Sequence, residues 1–122
     1  STKNSSSPTT SSSNNLADIT PIAPFGTFVS NHRPNLDGKS SSNQMNSVCQ
    51  TTPGVTCEIR FTSNGQIKIL GPSKVGSDGY VSWDWKLQDI GLREGSWGIE
   101  AIAKNGDKTT ATKDPMPLEV GL

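Results

Sequence analysis

The sequence predicts an all-β sandwich of about seven antiparallel strands, and three observations predict it. Short runs alternate apolar and polar residues with period two, as strands with one buried and one wet face do. Turn signals built on Gly, Asn and Pro punctuate those runs at roughly 8–12 residues. No segment carries the i, i+3, i+4, i+7 spacing of an amphipathic helix over a useful length.

The 122 residues leave room for one domain. Residues 1–15, STKNSSSPTTSSSNN, contain nothing apolar except Pro8, so burial cannot offset the entropy of ordering them. The division expected is a disordered Ser/Thr-rich linker over 1–18 and a folded domain over 19–122. The composition of the linker also suits an O-glycosylated stalk, and Asn4-Ser5-Ser6 fits the N-glycosylation pattern. Only 30% of residues are hydrophobic, which reflects the polar tail and one polar face on each sheet.

The segment Ile19-Thr20-Pro21-Ile22-Ala23-Pro24-Phe25-Gly26-Thr27-Phe28-Val29 is extended and proline-punctuated. It suits an edge strand, where missing N–H donors do no harm. Phe25, Phe28 and Val29 are expected to pin it to the core. Arg33-Pro34-Asn35-Leu36-Asp37-Gly38 signals a turn, and 39–46 reads as a polar loop.

The clearest alternation lies in Val55-Thr56-Cys57-Glu58-Ile59-Arg60-Phe61-Thr62, with Val, Cys, Ile and Phe on one face. Asn64-Gly65 supplies a tight turn where positive φ is needed, and Ile67-Lys68-Ile69-Leu70 completes a hairpin. Gly71-Pro72 breaks that run. Ser77-Asp78-Gly79 turns into Tyr80-Val81-Ser82-Trp83-Asp84-Trp85-Lys86-Leu87, with Val81, Trp83, Trp85 and Leu87 sharing a face. Residues 97–103 form the next strand, Asn105-Gly106 a second tight turn, and 108–113 a polar, β-branched outer strand. Pro115-Met116-Pro117 kinks into Leu118-Glu119-Val120, a last edge strand.

Two of these segments carry a family resemblance. Gly95-Ser96-Trp97-Gly98-Ile99-Glu100-Ala101-Ile102-Ala103-Lys104-Asn105-Gly106 resembles the penultimate hairpin of bacterial immunoglobulin-like surface domains, opened by Gly-x-Trp. Asp78-Gly79-Tyr80-Val81-Ser82-Trp83-Asp84-Trp85 is similar to their turn and aromatic strand. The resemblance covers residues 24–120, and fibronectin type III and PKD-like modules share the same grammar. It implies an immunoglobulin-like β-sandwich used as an extracellular repeat in adhesins, surface-anchored proteins or secreted enzymes. Antibody-type domains differ in having two widely separated cysteines that bridge their sheets.

Cys49 and Cys57 stand eight positions apart, around Pro53-Gly54, which favours a type II turn. A disulfide there closes a small loop and clips a local hairpin beside the strand that begins at Val55, contributing about 2–3 kcal/mol. It implies an oxidising compartment. The alternative is two free buried thiols. A zinc site is disfavoured by the lack of a second Cys pair and by the single histidine, His32.

Trp83, Trp85 and Trp97 admit two roles: core packing across the sandwich, or a platform on which sugar rings stack. His32 reads as structural or superficial, since no Gly-x-Ser-x-Gly accompanies it. Glu58, Asp84, Glu94 and Glu100 have no spacing distinctive of paired catalytic carboxylates and sit mostly at outward positions. No catalytic, cofactor-binding or metal-binding residue is expected.

Lys plus Arg and Asp plus Glu number 11 each. That balance offers no basic surplus for counterion release from nucleic acid. No apolar run reaches the ~18–20 residues needed to cross a bilayer. The expected function is a non-catalytic extracellular module of a bacterial surface or secreted protein, a spacer or an adhesion domain, monomeric within a longer chain. Its partner would be a protein or glycan at a cell surface. The alternative is a carbohydrate-binding module appended to a secreted enzyme. A weaker enzyme reading would use Asp84 or Glu100 as an acid.

Overall fold

The computed structural model describes residues 19–36 and 43–122. The Ser/Thr-rich tail over 1–18, with its glycosylation sequence, therefore lies outside the described residues.

Seven strands are formed among them: β1 (Gln44–Gln50), β2 (Thr56–Ser63), β3 (Gln66–Lys74), β4 (Tyr80–Lys86), β5 (Gly95–Asn105), β6 (Lys108–Lys113) and β7 (Leu118–Val120). They build two antiparallel sheets. One is the pair β1–β4; the other runs β3–β2–β5–β6, with β7 pairing β5 as well. The sheets pack face to face, and the core draws side chains from both. This is the two-sheet arrangement of an immunoglobulin-like sandwich.

The alternation in β2 does what its period requires. Val55, Cys57, Ile59 and Phe61 all turn inward and are buried. Fully burying side chains of this size stabilises a fold by about 1.5–3 kcal/mol each. Asn64 (φ 49) and Gly65 (φ 80) take the two positive-φ positions between β2 and β3, the conformation that matches the twist of paired strands. On β5, Trp97, Ile99, Ala101 and Ala103 face the same interior.

Three features differ from the sequence expectation. The polar loop expected over 39–46 gives way at Gln44 to a strand, whose inward residues are Met45, Ser47 and Cys49. Gly71-Pro72 does not end β3. The strand continues to Lys74 through a cis peptide bond, and a register shift opposite Cys57 and Ile59 absorbs the disturbance. An edge strand tolerates both residues because its outer N–H groups have no ladder to serve. Phe25 is 52% exposed, because it forms a two-bond bridge with Gln50 and shares the outward face of β1. Pro24, Phe28 and Val29 are buried around it instead.

The first described segment changes partners along its length. Phe25 and Thr27 bond to Gln50 and Val48 of β1. Residues 32–36 then run parallel to β7 and its extension, through Glu119 N–H to His32 O (2.7 Å), Gly121 N–H to Pro34 O (2.9 Å) and Leu36 N–H to Gly121 O (2.8 Å). One segment thereby belongs to both sheets.

Candidate functional site

The sequence singled out Cys49, Cys57, Trp83, Trp85 and Trp97, and all five lie in or against the sandwich interior. Cys49 and Cys57 form a disulfide with Cα atoms 6.7 Å apart. The expectation of a clip within a local hairpin is corrected by the topology. Cys49 belongs to β1 in the small sheet and Cys57 to β2 in the large one, so the bridge joins the two sheets through the core.

The link between those strands is a corner. Gly54 (φ 88) follows Pro53 in the expected turn, but the corner's backbone bonds to the loop after β3 rather than back to β1. Gly54 N–H donates to Val75 O, Val75 N–H to Val55 O, and Thr51 N–H to Gly79 O. The contrast with antibody-type domains therefore lies in loop length, since this bridge also spans the sheets.

The tryptophans face inward, and each indole N–H is used inside the protein. Trp85 (3% exposed) donates to the hydroxyl of buried Ser47 at 2.8 Å. Trp97 (2% exposed) donates to the Arg93 carbonyl at 2.8 Å. Trp83 is half-buried and donates to Ser73 on β3 of the opposite sheet at 3.0 Å. The ring that meets Trp85 across the sandwich is Phe61, with centroids 5.4 Å apart and planes tilted by 47°, a favoured aromatic arrangement. Trp85 and Trp97 thus turn no ring face to solvent.

His32 has a partner that local reading missed. Its Nε2 lies 2.8 Å from Asp114 Oδ2, at the kink between β6 and β7. The two are 82 positions apart, so no local pattern could have paired them. Glu58 sits at an outward ladder position yet is buried, between Ile102 opposite it on β5 and Arg60, whose Nε donates at 2.6 Å. Glu100 lies in register between Arg60 on one side and Lys113 on the other. Asp84 is exposed and accepts from Asn46 Nδ2. The carboxylates weighed as acids are therefore spread over separate faces: Glu100 on the large sheet and Asp84 on the small one.

Among the described residues, no group of three or more His, Cys, Asp or Glu side chains is placed to hold a metal ion. No helix of the described chain is long and apolar enough to cross a membrane. Among the described residues, an open surface depression of about 450 Å³ is lined by Pro53, Gly54, Lys74, Val75, Gly76 and Ser77. It offers one charged group, Lys74. Tyr80 stands half-exposed at the start of β4, beyond the same corner. No family model, no curated protein and no solved structure matches this chain.

Proposed function

We propose that the chain is a non-catalytic immunoglobulin-like module of an exported protein, a bacterial surface or secreted protein, in which it spaces or presents its neighbours. The observation that carries this reading is the position of the described ends. Residues 19–22 are tied to the pole that holds the β5–β6 turn, through Asn105 Nδ2 to Ile19 O and Thr110 Oγ1 to Ile22 O. Leu122 follows Gly121 at the opposite pole, beyond Gly95 at the start of β5. A chain that enters at one pole and leaves at the other sets its neighbours a domain length apart.

The interior disulfide supports the exported setting, since such bonds persist in oxidising compartments. Intact mass of the protein from its native source, before and after reduction and alkylation, tests this. One disulfide is expected; two free thiols would remove the support for export.

Carbohydrate binding is the second reading, and stacking would fall to Tyr80 and the half-buried Trp83. Tryptophan fluorescence titrated with a polysaccharide panel separates the two. No shift is expected, and a saturable one would favour the sugar-binding module.

A further inference from the structure

Among the described residues, most strand edges are guarded. The outer edge of β3 carries Gly71-Pro72 and a register shift. Residues 25–27 flank β1, and residues 32–36 flank β7. β6 has a lysine at each end and is bonded to Ile22 through Thr110. Proline, irregularity, charge and covering segments are how sheets keep their edges from pairing. β4 has no proline, no bulge and no covering strand; its 7 residues stay in unbroken register with β1, and no strand lies on its other side.

The backbone groups on that bare edge follow from β1. The N–H groups of Gln50, Val48 and Asn46 go to Phe25 O, Thr27 O and Ser30 Oγ, away from β4. Alternation leaves the ladder with β4 to Cys49, Ser47 and Met45, whose partners are Val81, Trp83 and Trp85. The even-numbered residues of β4 therefore aim their N–H and C=O groups outward. At its ends these are used: Tyr80 O accepts from Gly76 N–H at 2.9 Å, and Lys86 N–H donates to Asp89 Oδ2 at 2.8 Å. Between them, the backbone groups of Ser82 and Asp84 meet no other part of the described chain.

We propose that β4 pairs with β4 of a second copy, antiparallel and two-fold about Trp83, in place of the monomer expected from the sequence. The pairing goes beyond the spacer reading and does not depend on it. Ser82 then faces the partner's Asp84, and Asp84 the partner's Ser82, each pair exchanging both backbone bonds. The edge is its own complement because its two free residues flank one inward residue.

The side chains agree with this register. On the outer face the Ser82 hydroxyl meets the partner's Asp84 carboxylate, and Lys86 meets the partner's half-exposed Tyr80 ring. The two Asp84 carboxylates fall diagonal, about 7–8 Å apart, and each already accepts from Asn46. On the inner face Trp83 meets the partner's Trp83 as the closer, non-hydrogen-bonded kind of pair. Val81 and Trp83 are only half-buried, whereas Cys49 and Ser47 opposite them on β1 are fully buried. The second copy covers the margin where the interior stops. With a formal net charge of zero, two copies meet without net repulsion. One strand from each partner makes a small interface, under about 1,200 Å², so the dimer is weak and concentration-dependent.

Sedimentation of the full, oxidised chain from micromolar to millimolar concentration tests the pairing. The mass should rise from that of the 12.9 kDa monomer toward twice that value. Tryptophan emission should shift to the blue over the same range as Trp83 is covered, since Trp85 and Trp97 are buried already. Ser82→Glu sets a carboxylate opposite the partner's Asp84 twice in each dimer and should weaken association about tenfold. Ser82 is exposed, so the urea midpoint of the dilute variant should stay that of the parent. Adding Asp84→Lys places opposite charges face to face only in the register centred on Trp83, and should restore the dimer.

A chain that stays monomeric at millimolar concentration overturns the pairing. So does a dimer indifferent to Ser82→Glu, or one that the added Asp84→Lys does not rescue. Each of these results leaves the spacer reading standing, whereas two free thiols in the native protein would undercut export and leave the pairing untouched.

Discussion

Inside the five-stranded sheet, the inward positions of β2 are Val55, Cys57, Ile59 and Phe61, and those of β5 are Trp97, Ile99, Ala101 and Ala103. Inside the two-stranded sheet they are Met45, Ser47 and Cys49 on β1, and Val81, Trp83 and Trp85 on β4. The first set contains no hydroxyl, and β2 has a hydrogen-bonded neighbour on each side. The second mixes a hydroxyl with two indoles, and its sheet has only two named strands.

A lone two-stranded sheet is marginal in water. This one is held to its partner by a disulfide, by the Phe61–Trp85 contact and by the Trp83–Ser73 bond. The large sheet carries its own ladder; the small one is fixed by what reaches across the sandwich.

Removing the main cross-sandwich side chain should break that balance most. Trp85→Ala is expected to cost about 3–5 kcal/mol, the range for deleting a large buried aromatic. Its loss also leaves the Ser47 hydroxyl without its indole partner. Urea unfolding followed by circular dichroism measures the cost. A loss under about 1 kcal/mol would mean the small sheet does not depend on this residue.

The covalent link comes next. Replacing Cys49 and Cys57 together by Ala should cost about 2–3 kcal/mol from the loop-entropy term, plus the packing of two fully buried sulfur atoms. If the small sheet depends on the bridge, amide exchange in the double variant should rise more in β1 and β4 than in β2 and β5. A uniform rise would make the bridge a global staple and remove the distinction between the sheets.

The same contrast decides what was legible in the sequence. The faces of β2 and the β2–β3 turn could be read because each inward residue is apolar and the turn residues are Asn64-Gly65. β1 could not, because a serine holds the middle inward position and the preceding residues are polar. Ser47 is tolerated there because the Trp85 indole donates to it from 38 positions away, a relation no local pattern contains. The cysteine pairing was legible from its spacing, but its place between the sheets was not. That depends on residues 51–55 bonding to the loop after β3. The His32–Asp114 pair and the parallel run of 32–36 beside β7 were equally hidden, since each joins distant parts of the chain.

The smallest effects separate the two indole–serine bonds. Ser47→Ala leaves the buried Trp85 N–H with no acceptor, and an orphaned donor of that kind costs about 1–3 kcal/mol. Ser73→Ala removes the acceptor of Trp83, but that side chain is half-buried at the sandwich margin. Water can replace the lost partner, so the expected cost is about 0.5–1 kcal/mol. The two variants delete the same atom from the same kind of bond, so their difference in urea midpoint reads desolvation alone. Equal costs would mean the Trp83 N–H is as dry as that of Trp85, and the interior would then extend to the β3 edge. A larger cost at Ser47 places the dry core between β1, β4 and β2, where the disulfide and the Phe61–Trp85 contact also lie.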